Sequence, residues 1–139
     1  MMVIAYDATR LPVILIVEDE ALLREVSAME FEDAGFDVLA AADGDEALAY
    51  VASRPDIDLL FTDISLRDSI DGWTIAERAR AMRPDLAVIY ATGYAPDAVK
   101  LVKDARFFKK PFLPTAIVAA AREMIGDRPD QPTAGTDLR

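Results

Sequence analysis

The chain has no cysteine and no histidine among its 139 residues. Without cysteine there is no disulfide and no thiolate metal site. Without histidine the commonest general base is missing, and the chain cannot itself serve as a phosphohistidine donor. Basic residues are also scarce: 15 Lys and Arg stand against 25 Asp and Glu, a formal charge of −10. That balance argues against nucleic-acid binding, which needs a basic footprint, and favours partners with basic faces. No apolar run approaches the roughly 18 residues of a membrane-spanning helix. Met1–Pro12 lacks the basic stretch and apolar core of a signal peptide. The expectation is a cytoplasmic protein with neither membrane nor nucleic acid as partner.

What is present is an apolar share of 53%, which suits one domain built on a sheet covered on both faces. Short β-prone runs alternate with helical patterns, the signature of parallel strands in an α/β fold. The runs predict strands at Val13–Val17, Phe36–Ala40, Leu59–Thr62, Ala87–Ala91 and Arg106–Phe108. Helices are expected at Glu20–Ala34, Asp45–Ser53, Trp73–Met82, Pro96–Lys103 and Leu113–Ile125. Gly35 and Gly126 are suitable terminators, Pro55 and Pro84 stop the helices before them, and Pro96 sits at a favoured first turn. Leu22, Leu23, Val26, Met29 and Ala34 supply the apolar positions of the first helix at near-helical spacing. Residues 1–12 read as an N-terminal extension, 13–126 as the domain, and the polar, proline-bearing 127–139 as a disordered tail. No repeat or linker points to a second domain.

Four signals follow four of the strands: Glu18-Asp19, Asp63, Thr92-Gly93 and Lys110-Pro111. In a parallel sheet, residues just past the strand C-termini gather along one edge, where ligands bind. Three carboxylates, a hydroxyl and an amine would meet there. Clustered carboxylates repel unless a cation joins them, and Mg²⁺ prefers oxygen ligands. A carboxylate can also act as a nucleophile toward phosphorus. The combination reads as a site for a divalent metal and a phosphoryl group.

Taken in order, Ile-Val-Glu-Asp-Glu, Leu-Leu-Phe-Thr-Asp, Asp71-Gly72, Ala-Thr-Gly and Phe-Lys-Lys-Pro-Phe resemble the receiver domain of two-component response regulators. The resemblance covers about Val13 to Ile125. It implies a flavodoxin-like doubly wound (βα)5 fold with strand order 2-1-3-4-5. Neighbouring strands lie about 4.8 Å apart, so Asp63 would be flanked by Asp19 and Thr92, while strand five lies roughly 10 Å away. Only a long side chain reaches back over that gap, and Lys110 has the length.

The resemblance further implies Asp63 as phosphoacceptor, with Mg²⁺ held by Asp19, Asp63 and the Ser65 carbonyl, and by Glu18 through water. Thr92 would hydrogen-bond the phosphoryl oxygen, Gly93 would leave room, and Lys110, directly before proline, would pair with the phosphoryl charge. Phe107 falls at the aromatic switch position, three before the lysine. Receivers commonly have a cis bond at the Lys110-Pro111 junction. Partners would be a sensor histidine kinase or histidine phosphotransfer protein, an unidentified downstream protein, and a second copy through the fourth helix, fifth strand and last helix.

Plainer roles stand beside these. Asp63 could start a turn, Asp19 could cap the first helix, and Lys109 could face solvent or a partner. Phe107 could belong to the core and Trp73 could pack its helix; Tyr94, close to the site, could instead shield the phosphate. Two departures from the family are visible: Arg67 stands where proline is common, four residues past Asp63, and the following loop is one residue longer. Thr92-Gly93-Tyr94 also resembles receivers attached to hybrid kinases and some stand-alone alphaproteobacterial ones. The reading is a single-domain phosphoacceptor regulator, not an enzyme. One alternative is a constitutive interaction module. Another is a haloacid-dehalogenase-type phosphotransferase, which wants a second Asp two residues after the nucleophile. Those positions hold Ser65 and Ala21.

Overall fold

The computed structural model describes residues 10–67, 70–93 and 101–126. The elements are β1 (Val13–Val17), α1 (Ala21–Asp33), β2 (Asp37–Ala41), α2 (Gly44–Ser53), β3 (Ile57–Asp63), α3 (Gly72–Met82), β4 (Ala87–Thr92), β5 (Arg106–Lys109) and α4 (Pro114–Gly126). The five strands are parallel, in the order β2-β1-β3-β4-β5. This is the doubly wound arrangement anticipated above.

Alternation along β1 divides the core in two, because successive strand residues point to opposite faces. Val13, Leu15 and Val17 join Leu60, Val88 and Tyr90 beneath α2 and α3. Ile14 and Ile16 join Leu59, Phe61 and Ile89 beneath α1 and α4. Asp43 caps α2 by accepting the Glu46 N–H, and Asp71 caps α3 by accepting the Thr74 N–H, so each helix starts at a fixed point after its strand.

Several expectations are corrected. β3 begins two residues earlier than its apolar run, at Ile57, and includes the buried Asp58. β2 is shifted by one residue, to Asp37–Ala41. Leu22, Leu23, Val26 and Met29 are exposed, and the buried anchor of α1 is Phe31, packed edge-on against Phe36 and Phe61. At 3.6 residues per turn, Phe31 lies opposite Leu22 on the helix. The periodicity was helical, but the stripe faces outward. Tyr94, residues 96–100 of the expected fourth helix, and the tail lie outside the described residues; residues 101–103 are not helical. Of the proposed dimer face, the part contributed by residues 96–100 therefore also lies outside them, whereas β5 and the last helix are described. No helix among the described residues is long and apolar enough to cross a membrane.

Candidate functional site

Register brings the signals together. Val17 pairs with Thr62, Asp63 with Ala91, and Thr92 with Lys109. The residues that follow β1, β3, β4 and β5 therefore emerge at the same edge. The ladders run past the strand ends: Glu18 N–H donates to Ala41 O at 3.1 Å, and Lys110 N–H to Thr92 O at 2.8 Å. The second bond fixes the Lys110 backbone to β4, and the Lys110-Pro111 peptide is cis, as expected.

From that anchor the Lys110 Nζ donates to Asp63 Oδ2 at 2.7 Å and to Glu18 Oε1 at 3.4 Å. Lys109 is exposed, so Lys110 is the lysine that reaches the acids. Burial works against the Lys110 charge. The hydrogen bond and field of Asp63, with Glu18 behind it, outweigh burial and hold its pKa above the ordinary lysine value. Burial likewise raises the Glu18 pKa, and the neighbouring Asp63 adds to the rise. The Glu20 N–H and Lys110 only partly offset it.

Asp19 is held separately. Burial would raise its pKa, but the Arg67 N–H, the Glu18 side chain and the Arg67 guanidinium together lower it. Its Oδ2 accepts from Arg67 N at 2.8 Å and from Arg67 Nε at 3.3 Å. The residue before α1 is Glu20, and no side chain caps that helix, so Asp19 is not its cap. Ser65 donates its N–H to Asp63 Oδ1 at 3.1 Å, which ties the acid to the loop after β3. Thr92 is buried at the end of β4.

Phe107 pairs in register with Tyr90 and is half-buried against the core under α2 and α3. Trp73 packs on Tyr90 with ring centroids 5.1 Å apart, and the Tyr90 hydroxyl accepts the Val102 N–H. Trp73 is thus a packing residue.

Two contributors escaped the sequence reading. Arg67 registered only as a missing proline. Gly72 was noted for its Asp-Gly motif, but a Cβ there would run into the Asp63 carbonyl oxygen and lie 2.8 Å from Ile64 Cα. Its signal was its place directly after the capping Asp71. The carboxyl end of β3 can sit against α3 because that position has no side chain.

Every candidate cation donor is an oxygen: the carboxylates of Glu18, Asp19 and Asp63 and the Ser65 carbonyl. That set suits a hard cation such as Mg²⁺. Among the described residues, no three acidic groups are already gathered tightly enough to enclose a metal ion. Lys110 holds Asp63 and Glu18, and Arg67 holds Asp19. An apolar groove of about 500 Å³, lined by residues that include Leu23, Val26, Ile117 and Val118, opens beside Asp63 and Lys110.

Comparison with known proteins agrees with this architecture. Residues 14–122 match the family model of the response regulator receiver domain. The chain is 33% identical over 103 residues to the response regulator receiver protein CpdR of Brucella abortus (strain 2308), covering 71% of this chain and 84% of that protein. It is 31% identical over 126 residues to the sensor kinase CckA of the same organism, covering 87% of this chain but only 13% of the kinase. A solved response regulator receiver protein from Sinorhizobium medicae WSM419 superimposes with a TM-score of 0.80 at 31% identity, covering 84% of this chain and 96% of that one.

Proposed function

This chain belongs to the response regulator receiver domain family of two-component signalling, and we propose that it accepts a phosphoryl group on Asp63 from a histidine kinase or histidine phosphotransfer protein. The observation that carries the reading is the 2.7 Å contact between Lys110 Nζ and Asp63 Oδ2, made across β4 from β5. It supports the reading because a strong donor and a positive charge already touch the carboxylate that would carry the phosphoryl group.

In the transfer, an Asp63 carboxylate oxygen attacks the phosphorus of the donor's phosphohistidine. A P–O bond forms as the P–N bond breaks, and the imidazole leaves with the electron pair. Lys110 then moves its bond from the carboxylate to the phosphoryl oxygens, and Thr92 supplies a hydroxyl from the end of β4. Mg²⁺, a general feature of the family, would be held by Asp19, Asp63 and the Ser65 carbonyl, with Glu18 through water; it supplies positive charge to the phosphoryl oxygens. The shift of Thr92 and Lys110, transmitted beside Phe107, changes the face read by partners. The exposed Leu23 and Val26 of α1, which line the groove beside Asp63, offer the donor an apolar surface.

The match to most of CpdR supports a single-domain regulator, a cytoplasmic signalling module and not an enzyme, with the receiver unit at residues 13–126. Output would pass by phosphorylation-dependent contacts or onward relay. Incubation with acetyl phosphate and Mg²⁺ followed by intact mass measurement tests the assignment. The wild type should gain one phosphoryl group, and Asp63→Asn none. Modification undiminished in Asp63→Asn would move the acceptor elsewhere, and an unmodified wild type would favour a constitutive interaction module.

A further inference from the structure

Position 67 lies four residues past Asp63, where a proline would offer neither an N–H nor a charge. Arg67 offers both, and both go to one oxygen. Its N–H donates to Asp19 Oδ2 at 2.8 Å and its Nε to the same atom at 3.3 Å. The Asp19 side chain is 15% exposed, whereas that of Arg67 is 75% exposed. The acid is sheltered, while the guanidinium that neutralises it stays largely in water. Ion pairs of this exposed kind are weak and exchangeable. Lys110, by contrast, is only 32% exposed.

We infer that Arg67 is a built-in counter-ion for Asp19, which occupies the carboxylate when no divalent cation is bound and which such a cation must displace. The inference rests on Asp19 being a cation ligand. A hard divalent ion needs the anionic oxygen and repels a guanidinium a few ångströms away. Arg67 therefore lowers the affinity of the site for Mg²⁺ and sets the concentration at which it loads. Loading in turn releases a positive side chain onto the loop between β3 and α3.

The test is calorimetric titration of the full chain with Mg²⁺, and separately with Mn²⁺, for wild type, Arg67→Ala, Arg67→Lys and Asp19→Asn. The alanine variant keeps the main-chain N–H and removes only the guanidinium. It should bind each ion about two- to fivefold more tightly, the scale of a weak exposed pair. Arg67→Lys, which keeps the charge, should fall back toward wild type, and Asp19→Asn should lose binding. In wild type, the Arg67 Nε–Hε resonance should move with Mg²⁺ at the same midpoint. That measurement holds even if a variant folds poorly. Equal or weaker binding by Arg67→Ala, or an Arg67 resonance that stays put, while binding still depends on Asp19, overturns the counter-ion. Saturable binding that survives Asp19→Asn, or no binding by any form, shows instead that the cation reading of the site is wrong, and the counter-ion falls with it.

Discussion

Strand β3 carries a carboxylate near each end, Asp58 at the amino end and Asp63 at the carboxyl end, and the surroundings of the two differ in charge balance. Asp58 is buried; it accepts the Val13 N–H at 2.8 Å and two bonds from the Arg10 guanidinium at 3.3 Å each. Around it, Arg54 pairs with Asp56 and Arg83 with Asp85, so each of these three acids has an arginine partner. Arg83 also donates to the Pro55 and Ile57 carbonyls, which closes that end of the sheet. At the carboxyl end, among the described residues, the carboxylates of Glu18, Asp19 and Asp63 pair with two cations, Lys110 and Arg67, while Arg24 donates instead to the Glu18 carbonyl. The amino end is a finished structural joint. The carboxyl end is short of positive charge and is held by two long cationic side chains, so it can take up a cation and exchange partners when a phosphoryl group arrives.

Gly72→Ala should break the carboxyl end most severely. The added Cβ meets the Asp63 carbonyl and Ile64 Cα, both main-chain atoms that cannot swing aside. Either α3 withdraws from β3 or the Asp63 backbone moves. We expect a loss of about 3 kcal/mol, the upper part of the usual range for overpacking. It should register as a lower urea midpoint with an unchanged slope, together with slower modification by acetyl phosphate. Gly126→Ala, where a Cβ meets nothing within 4 Å, is the control and should change little. A Gly72→Ala protein as stable as wild type would mean that α3 does not fix the end of β3.

Asp58→Ala should be the next largest effect, and it acts at the other end. The substitution takes a partner from the buried Val13 N–H and the carboxylate from Arg10. A buried donor left without its acceptor costs about 1–3 kcal/mol, and Arg10 can turn to water, so the lower half of that range is expected. Urea denaturation gives the stability, and acetyl phosphate gives the function. Because Asp58 belongs to the structural joint, Mg²⁺ affinity and the rate of modification should remain those of wild type. A changed rate would show that the two ends of β3 are coupled.

These two residues also mark how far the sequence could be read. The converging signals were legible because apolar runs end in polar residues, and a parallel sheet lines up those ends; the strand order followed from the family resemblance. Lys110 could be preferred to Lys109 because it directly precedes proline. The apolar run that marks β3 starts at Leu59, so Asp58 fell outside it, and nothing local announces that Arg10, 48 positions earlier, meets it. Arg67 and Asp19 are also 48 positions apart. The outward direction of the α1 stripe was not legible, because periodicity identifies a helix but not which face finds a neighbour. Composition and spacing thus disclosed where the chemistry gathers; contacts between distant loops, which decide what holds it there, needed the fold.

Glu18→Gln should give the smallest effect, with the sign reversed from Asp58→Ala. Burial is the main cause of the raised Glu18 pKa, and the partial offset from Glu20 and Lys110 does not cancel it. Between the unfolded value near 4.5 and the higher folded value, the folded protein holds the additional proton. Stability then falls as pH rises through that window. The favourable contribution of Glu18 is complete below the unfolded pKa and gone above the folded one. The glutamine side chain does not titrate, so the variant avoids the loss, and Lys110 keeps its bond to Asp63. In divalent-free buffer the two proteins should have equal stability at acid pH. The variant should become the more stable as pH passes through the folded Glu18 value, and the difference should then level off. Adding Mg²⁺ should narrow or reverse the gap, because a ligand that binds only the folded state stabilises whichever protein binds it better. Urea denaturation across pH, with and without Mg²⁺, measures both effects. A variant less stable than wild type at neutral pH without Mg²⁺ would mean that the Glu18–Lys110 contact outweighs burial. The carboxyl end would then be as well balanced as the amino end, and the contrast between them would fail.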